Sequence, residues 1–154
     1  MEQQDFHCSI TAGVTPEQAF SGINDVAAWW SKSFKGASEH PGDVFTVRFG
    51  ETFAEFEITE VIPNKKIVWF TRDCNLHFMK DKKEWKGTSL NWEISSNGDT
   101  TRVDMTHVGL VPEIECYHDC IKGWTFYVTS SLHKLLTEGK GIPDDKDHSA
   151  RNRQ

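Results

Sequence analysis

The chain contains no G-x-G-x-x-G and no G-K-[ST]. Gly36, Gly42 and Gly50 stand alone, so nothing builds the backbone cradle that holds phosphates. Nucleotide-dependent chemistry is therefore not expected, and no cofactor is implied. A G-x-S-x-G elbow is missing too, which weakens a serine-hydrolase reading. No stretch approaches the roughly twenty apolar residues of a membrane span. Met1-Glu2-Gln3-Gln4-Asp5 has neither the basic start nor the apolar run of a signal peptide. Basic side chains number 17 against 23 acidic ones, a formal net charge of -6. A sequence-independent grip on nucleic acid or an anionic membrane needs the opposite balance. The expectation is a cytoplasmic protein with no nucleic-acid partner and no membrane insertion.

Cysteine is also scarce: Cys8, Cys74, Cys116 and Cys120, of which only the last two are neighbours in sequence. A reducing compartment would keep them as thiols rather than as a disulfide framework. At four-residue helical spacing Cys116 and Cys120 could offer two sulfurs to one metal, with His118 or Cys74 as further ligands. No Cys-x-x-Cys pair or tight histidine cluster completes a tetrahedral site, and no metal is expected. A helical apolar stripe already accounts for both as small core residues.

What is present is enough apolar material for one compact domain: 154 residues, 37% hydrophobic and 12% aromatic. Phe6, Cys8 and Ile10 alternate with polar residues as an opening strand. Thr15-Pro16-Glu17-Gln18 has the form of a capping box with proline at the first helical position. A short helix through Ala19, Phe20 and Ile23 follows, then a second short turn bearing Val26, Trp29 and Trp30.

From Gly42 the pattern is strand. Phe45, Val47 and Phe49 alternate with polar residues. In the next run Ala54, Phe56, Ile58 and Ile62 are expected to face inward, with Glu55, Glu57 and Glu60 in solvent. Ile67 to Thr71 is too uniformly apolar for alternation to choose a face. Residues 73 to 86 read as a long basic connection or an irregular strand, with Lys80, Lys82, Lys83 and Lys86 in solvent and Leu76, Phe78 and Trp85 interspersed. Leu90, Trp92 and Ile94 restore the alternation. Ser96-Asn97-Gly98-Asp99 is a hairpin turn, and Val103, Met105 and His107 share one face of the last strand.

Beyond Pro112 the period becomes three and four: Cys116, Cys120, Gly123, Trp124, Tyr127, Val128, Ser131, Leu132, Leu135 and Leu136. This predicts a helix from about Glu113 to Thr137, closed by Gly139 as a left-handed cap and stopped by Pro143. The polar segment 144–154 is expected to be a disordered tail, leaving 1–143 as a single domain. Strands bracketed by helices argue an α+β class with one antiparallel sheet covered by the last helix.

The order of these elements, Thr106-His107-x-Gly109-Leu110, Cys120-x-x-Gly123-Trp124, Ser131-Leu132-x-x-Leu135 and Gly139-x-Gly141 together resemble the START-like, or SRPBCC, superfamily. Within it they resemble the branch named after the C-terminal domain of the activator of the ninety-kilodalton heat-shock protein's ATPase. The resemblance runs from Phe6 to about Pro143. It implies a helix-grip fold, a curved sheet of about six to seven strands around the C-terminal helix with two short helices after the first strand. It also implies a deep cavity between sheet and helix, in which superfamily members hold lipids, sterols, polyketides and other apolar molecules; some members are cyclases or hydrolases.

The expected ligand-facing set is Trp29, Trp30, Trp69, Trp92, His107, Cys120, Trp124, Tyr127 and Val128. Aromatic rings suit flat apolar ligands and a packed core equally. Trp29 and Trp30, about 100° apart on a helix, would leave one partly exposed as a mouth or lid. His107 is the best catalytic candidate, as a general base. Its alternative role is to tie strand to helix by hydrogen bonds. Three functions follow: binding of a small apolar molecule first, then an interaction domain with a homodimer or chaperone contact, then an enzyme using His107.

Overall fold

The computed structural model describes residues 5–77, 79–80, 82–112 and 117–144. Strand β1 (Phe6–Ala12) is followed by helices α1 (Pro16–Asn24) and α2 (Val26–Trp29). Six strands come next: β2 (Phe34–Gly36), β3 (Val44–Phe49), β4 (Thr52–Ile62), β5 (Lys66–Asn75), β6 (Ser89–Asn97) and β7 (Thr100–Val108). The covering helix comprises α3 (Tyr117–Phe126), a π-helical segment (Tyr127–Leu132) and α4 (His133–Glu138). All strand pairs are antiparallel, in the order β1-β7-β6-β5-β4-β3-β2. This is the α+β, helix-grip arrangement. The expected helix start at Glu113, with Cys116, lies outside the described residues, as do Phe78 and the segment 145–154.

Local chemistry sets the boundaries. Thr15 accepts from the Gln18 backbone N–H at 3.1 Å, and the Gln18 side chain accepts from the Thr15 N–H at 2.9 Å, closing both ends of the capping box. Gly139 takes the left-handed conformation (φ 82°) and ends α4. Gly98, also at positive φ, turns β6 into β7. One addition to the expected strands is β2, whose three residues are too few to show alternation.

Strand β4 departs from the expected inward set at its end. Ala54, Phe56 and Ile58 are buried, but Ile62 is 42% exposed. The pairing with β5 slips between Ile58 and Glu60, and one inserted residue exchanges the two faces. Val61 packs against the core instead. On β5 it is Ile67, Trp69 and Thr71 that point inward, while Phe70 is exposed.

Trp29 and Trp30 are both buried, and neither is a lid. Trp30 caps α2, its N–H bonded to the Val26 carbonyl at 2.8 Å, and the two rings stack at 5.8 Å with planes 9° apart. The segment after α4 is anchored under them. Ser131 Oγ donates to the Trp29 carbonyl at 2.6 Å and accepts from the Ile142 N–H at 2.7 Å. Asp144 continues this anchor through the Trp30 carbonyl at 2.9 Å and the Lys32 N–H at 2.9 Å. The first residue assigned to the tail is therefore bonded to the domain.

Candidate functional site

A cavity of about 250 Å³ lies between the β3–β4 end of the sheet and helix α3. The sheet contributes Phe49, Thr52, Phe53 and Ala54; the connection after β5 contributes Leu76 and Trp85. Helix α3 and the first π-helical residue contribute Asp119, Cys120, Gly123, Trp124 and Tyr127, a three-to-four spacing that puts them on one face. Trp30 forms the remaining wall. Gly123 is why space exists here: a Cβ built on it would meet no atom within 4 Å. The volume sits just under the roughly 300–1,000 Å³ of drug-sized ligand pockets.

The rings are arranged as one cluster. Trp30 is 4.8 Å from Trp124, centroid to centroid, and 5.7 Å from Phe49. Phe49 lies 5.9 Å from Tyr127, and Trp85 stacks on Trp124 at 5.7 Å with planes 7° apart. Burial and the nearby charge of Asp144 push the Tyr127 phenol up to about 12, so it stays a neutral hydroxyl at any physiological pH. Asp119 is exposed and stands at the rim.

Of the nine expected ligand-facing residues, Trp30, Cys120, Trp124 and Tyr127 meet at this cavity. Trp29, Trp69, Trp92, His107 and Val128 do not line it; each is fully buried in the packing around it. Trp69 lies between Phe45, Phe56 and Trp92, and Trp92 sits edge-on to Trp29. Among the described residues the indole N–H groups of Trp69, Trp85 and Trp92 have no hydrogen-bond partner.

His107 is enclosed in a chain of hydrogen bonds. Trp124 Nε1 donates to His107 Nδ1 at 3.0 Å. That leaves the proton on Nε2, which donates to Thr88 Oγ1 at 2.9 Å. The Thr88 hydroxyl in turn donates to the Trp85 carbonyl at 2.6 Å, and Thr71 Oγ1 lies 3.1 Å from Thr88 Oγ1. Burial holds the imidazole down to about 3, so it is neutral. With one nitrogen already accepting and the other donating, it has no lone pair for a substrate proton. Its place is to fix Trp124 and the connection bearing Trp85 against the sheet.

Phe49, Ala54 and Gly123 line the cavity from the faces that alternation and helical period gave them, whereas Thr52, Phe53, Leu76, Trp85 and Asp119 are lining residues that neither pattern singled out. Trp85 sits in the basic run read as a solvated connection, yet it is only 8% exposed. That run folds back on itself: Leu76 N–H bonds the Lys82 carbonyl at 2.8 Å, and Lys82 Nζ donates to the carbonyls of His77 and Met79, both at 3.0 Å. A tryptophan among lysines was the one available signal. Among the described residues no group of three or more His, Cys, Asp or Glu could hold a metal ion, and no helix is long and apolar enough to cross a membrane.

Residues 18–137 match the family described as Activator of Hsp90 ATPase homolog 1-like protein. No curated protein matches the chain. Solved structures with the same fold include the Aha1 dimer from Colwellia psychrerythraea, at TM-score 0.71 and 22% identity, covering 90% of this chain and 99% of that one. SSP2350 from Staphylococcus saprophyticus superposes at TM-score 0.65 with 18% identity, covering 90% and 96% of the two chains. DynU16, from the dynemicin biosynthetic locus, superposes at TM-score 0.67 with 16% identity, covering 94% of this chain and 52% of that one.

Proposed function

Because the chain belongs to the Activator of Hsp90 ATPase homolog 1-like family, whose helix-grip fold hosts several functions, its role must be argued from the site, and we propose that it binds a small apolar molecule in the cavity between sheet and helix. The observation that carries this reading is the open space opposite Gly123, walled by Trp30, Trp85 and Trp124. A helix that covers a sheet is expected to fill such a gap, since interiors pack to crystal-like density. The reading includes a cytoplasmic setting, supported by the unpaired thiols of Cys8, Cys74 and Cys120. Bromobenzene, an apolar heavy-atom quencher, tests it: saturable, one-to-one quenching of tryptophan emission is expected. Quenching that stays linear with concentration, as for a tryptophan in free solution, would remove the reading.

A second reading, self-association, is supported by the dimeric state of the Colwellia protein and by β1, which has a single neighbour in the sheet. Light scattering coupled to size exclusion decides it: a mass of two chains is expected, and a mass of one chain across micromolar concentrations would exclude it. A contact with a chaperone is a further partner consistent with the family name alone, and a cross-linking pull-down checks it.

A further inference from the structure

The proposed cavity has one more property, the kind of charge it presents. Among the described residues, Asp119 is the only lining residue whose side chain carries a formal charge at neutral pH, and no lysine, arginine or histidine is among them. The remaining wall is dominated by the rings of Trp30, Phe49, Trp85, Trp124 and Tyr127. Aromatic faces carry negative quadrupole potential and attract cations, tryptophan most strongly. Tyr127 keeps its proton and adds no anion of its own, but it feels the negative charge of Asp144. The ring of Phe53, itself a lining residue, shows the tendency in place: the Arg48 guanidinium lies 5.0 Å and the Lys83 ammonium 5.9 Å from its centroid. Neither cation lines the cavity, and Lys83 is held by Asp73 at 2.9 Å.

Resting on the reading of the cavity as a ligand site, we infer that its ligand is an amphiphilic amine: a compact apolar or aromatic body inserted among the tryptophans, with a protonated or quaternary nitrogen at the rim beside Asp119. Both parts are needed. A cation without an apolar body would remain in water, because a single rim carboxylate is worth little on its own. An anionic headgroup would meet Asp119 with like charge. The volume of about 250 Å³ favours a small body over a long acyl chain or a sterol.

The test compares three probes that share a benzyl group: benzyltrimethylammonium, its uncharged isostere neopentylbenzene, and phenylacetate. Each is titrated into the full chain and followed by ligand-detected NMR. The expected order is cation, neutral, anion, with the cation about tenfold tighter than its isostere. In Asp119→Asn that advantage should fall to about threefold while neopentylbenzene binds unchanged, the carboxylate contributing the rest. Equal or tighter binding of neopentylbenzene would overturn the amine assignment and leave the apolar cavity standing. Preference for phenylacetate would overturn it in the same way, pointing to Arg48 and Lys83 as the groups that set the charge. No binding by any of the three would remove the amine and the cavity reading together.

Discussion

The indole N–H of Trp124, on the helix that covers the sheet, ends on Nδ1 of His107 at 3.0 Å, near the end of strand β7. One bond thus joins the two layers of the fold and sets the pose of a ring that faces the cavity. It also fixes the tautomer of the histidine and passes, through Thr88, to the carbonyl of Trp85. Two of the three cavity tryptophans are held by this chain, which gives His107 a positioning role and leaves no free nitrogen for chemistry.

His107 makes stability depend on pH. Its folded value, about 3, lies below the ordinary 6.5 that it recovers on unfolding. Between these limits the unfolded chain binds the extra proton, so stability is full above about pH 6.5 and is lost as pH falls toward 3, by up to about 1.4 kcal/mol per pH unit. Urea unfolding at a series of pH values should show this slope. In His107→Gln the slope should flatten, at the cost of lower stability near neutral pH, because the indole N–H of Trp124 loses its partner. An unchanged slope in the variant would assign the acid sensitivity to other groups.

Gly123 separates stability from occupancy. Gly123→Ala should raise stability by about 1 kcal/mol, since the residue is within a helix and its Cβ meets nothing. Gly123→Leu should retain the fold and fill the cavity. Thermal melts and bromobenzene quenching, measured on both variants, check the pair. A strongly destabilised Gly123→Ala would mean that the space is closed in solution.

Much of the frame was legible from the residues. The capping box at Thr15, the asparagine-glycine turn before β7 and the helical stripe from Cys120 to Leu136 are local signals, each written within a few positions. The inward parity of His107 followed from Val103 and Met105. The less legible parts depend on non-local events. A bulge in β4 exchanged Val61 and Ile62, and no period-two pattern carries that information. One of Trp29 and Trp30 was expected to be partly exposed from their offset on a helix, but both are buried, Trp30 among the rings of Phe49, Phe56, Trp69 and Trp124. Trp85 belongs to the cavity because its connection folds back through backbone bonds to Lys82 and Thr88, pairings between positions that sequence spacing does not relate.

Ser131 is the joint between the π-helical segment and the strap that follows α4. Its hydroxyl serves the Trp29 carbonyl and the Ile142 N–H together, both partly or fully buried. Ser131→Ala should cost about 1–3 kcal/mol, the penalty for orphaned buried polar groups. Hydrogen exchange should show faster exchange at Ile142 and Asp144 in the variant. Unchanged protection there would place the anchor elsewhere.

Burial pushes the Cys8 thiol up to about 12, and the charge of Asp104 acts in the same direction. Thiolate is the reactive form, so maleimide at pH 7.5 should leave Cys8 unmodified in the folded protein and label it after denaturation. Labelling of Cys8 in the native state would show that β1 opens at the edge of the sheet.

The claim that the cavity holds a small molecule is tested most directly by native mass spectrometry of the freshly purified chain beside Gly123→Leu. The wild-type chain should carry a discrete extra mass that is lost on denaturation, and the variant should fly bare. A bare wild-type chain, or an extra mass retained equally by Gly123→Leu, would contradict the account.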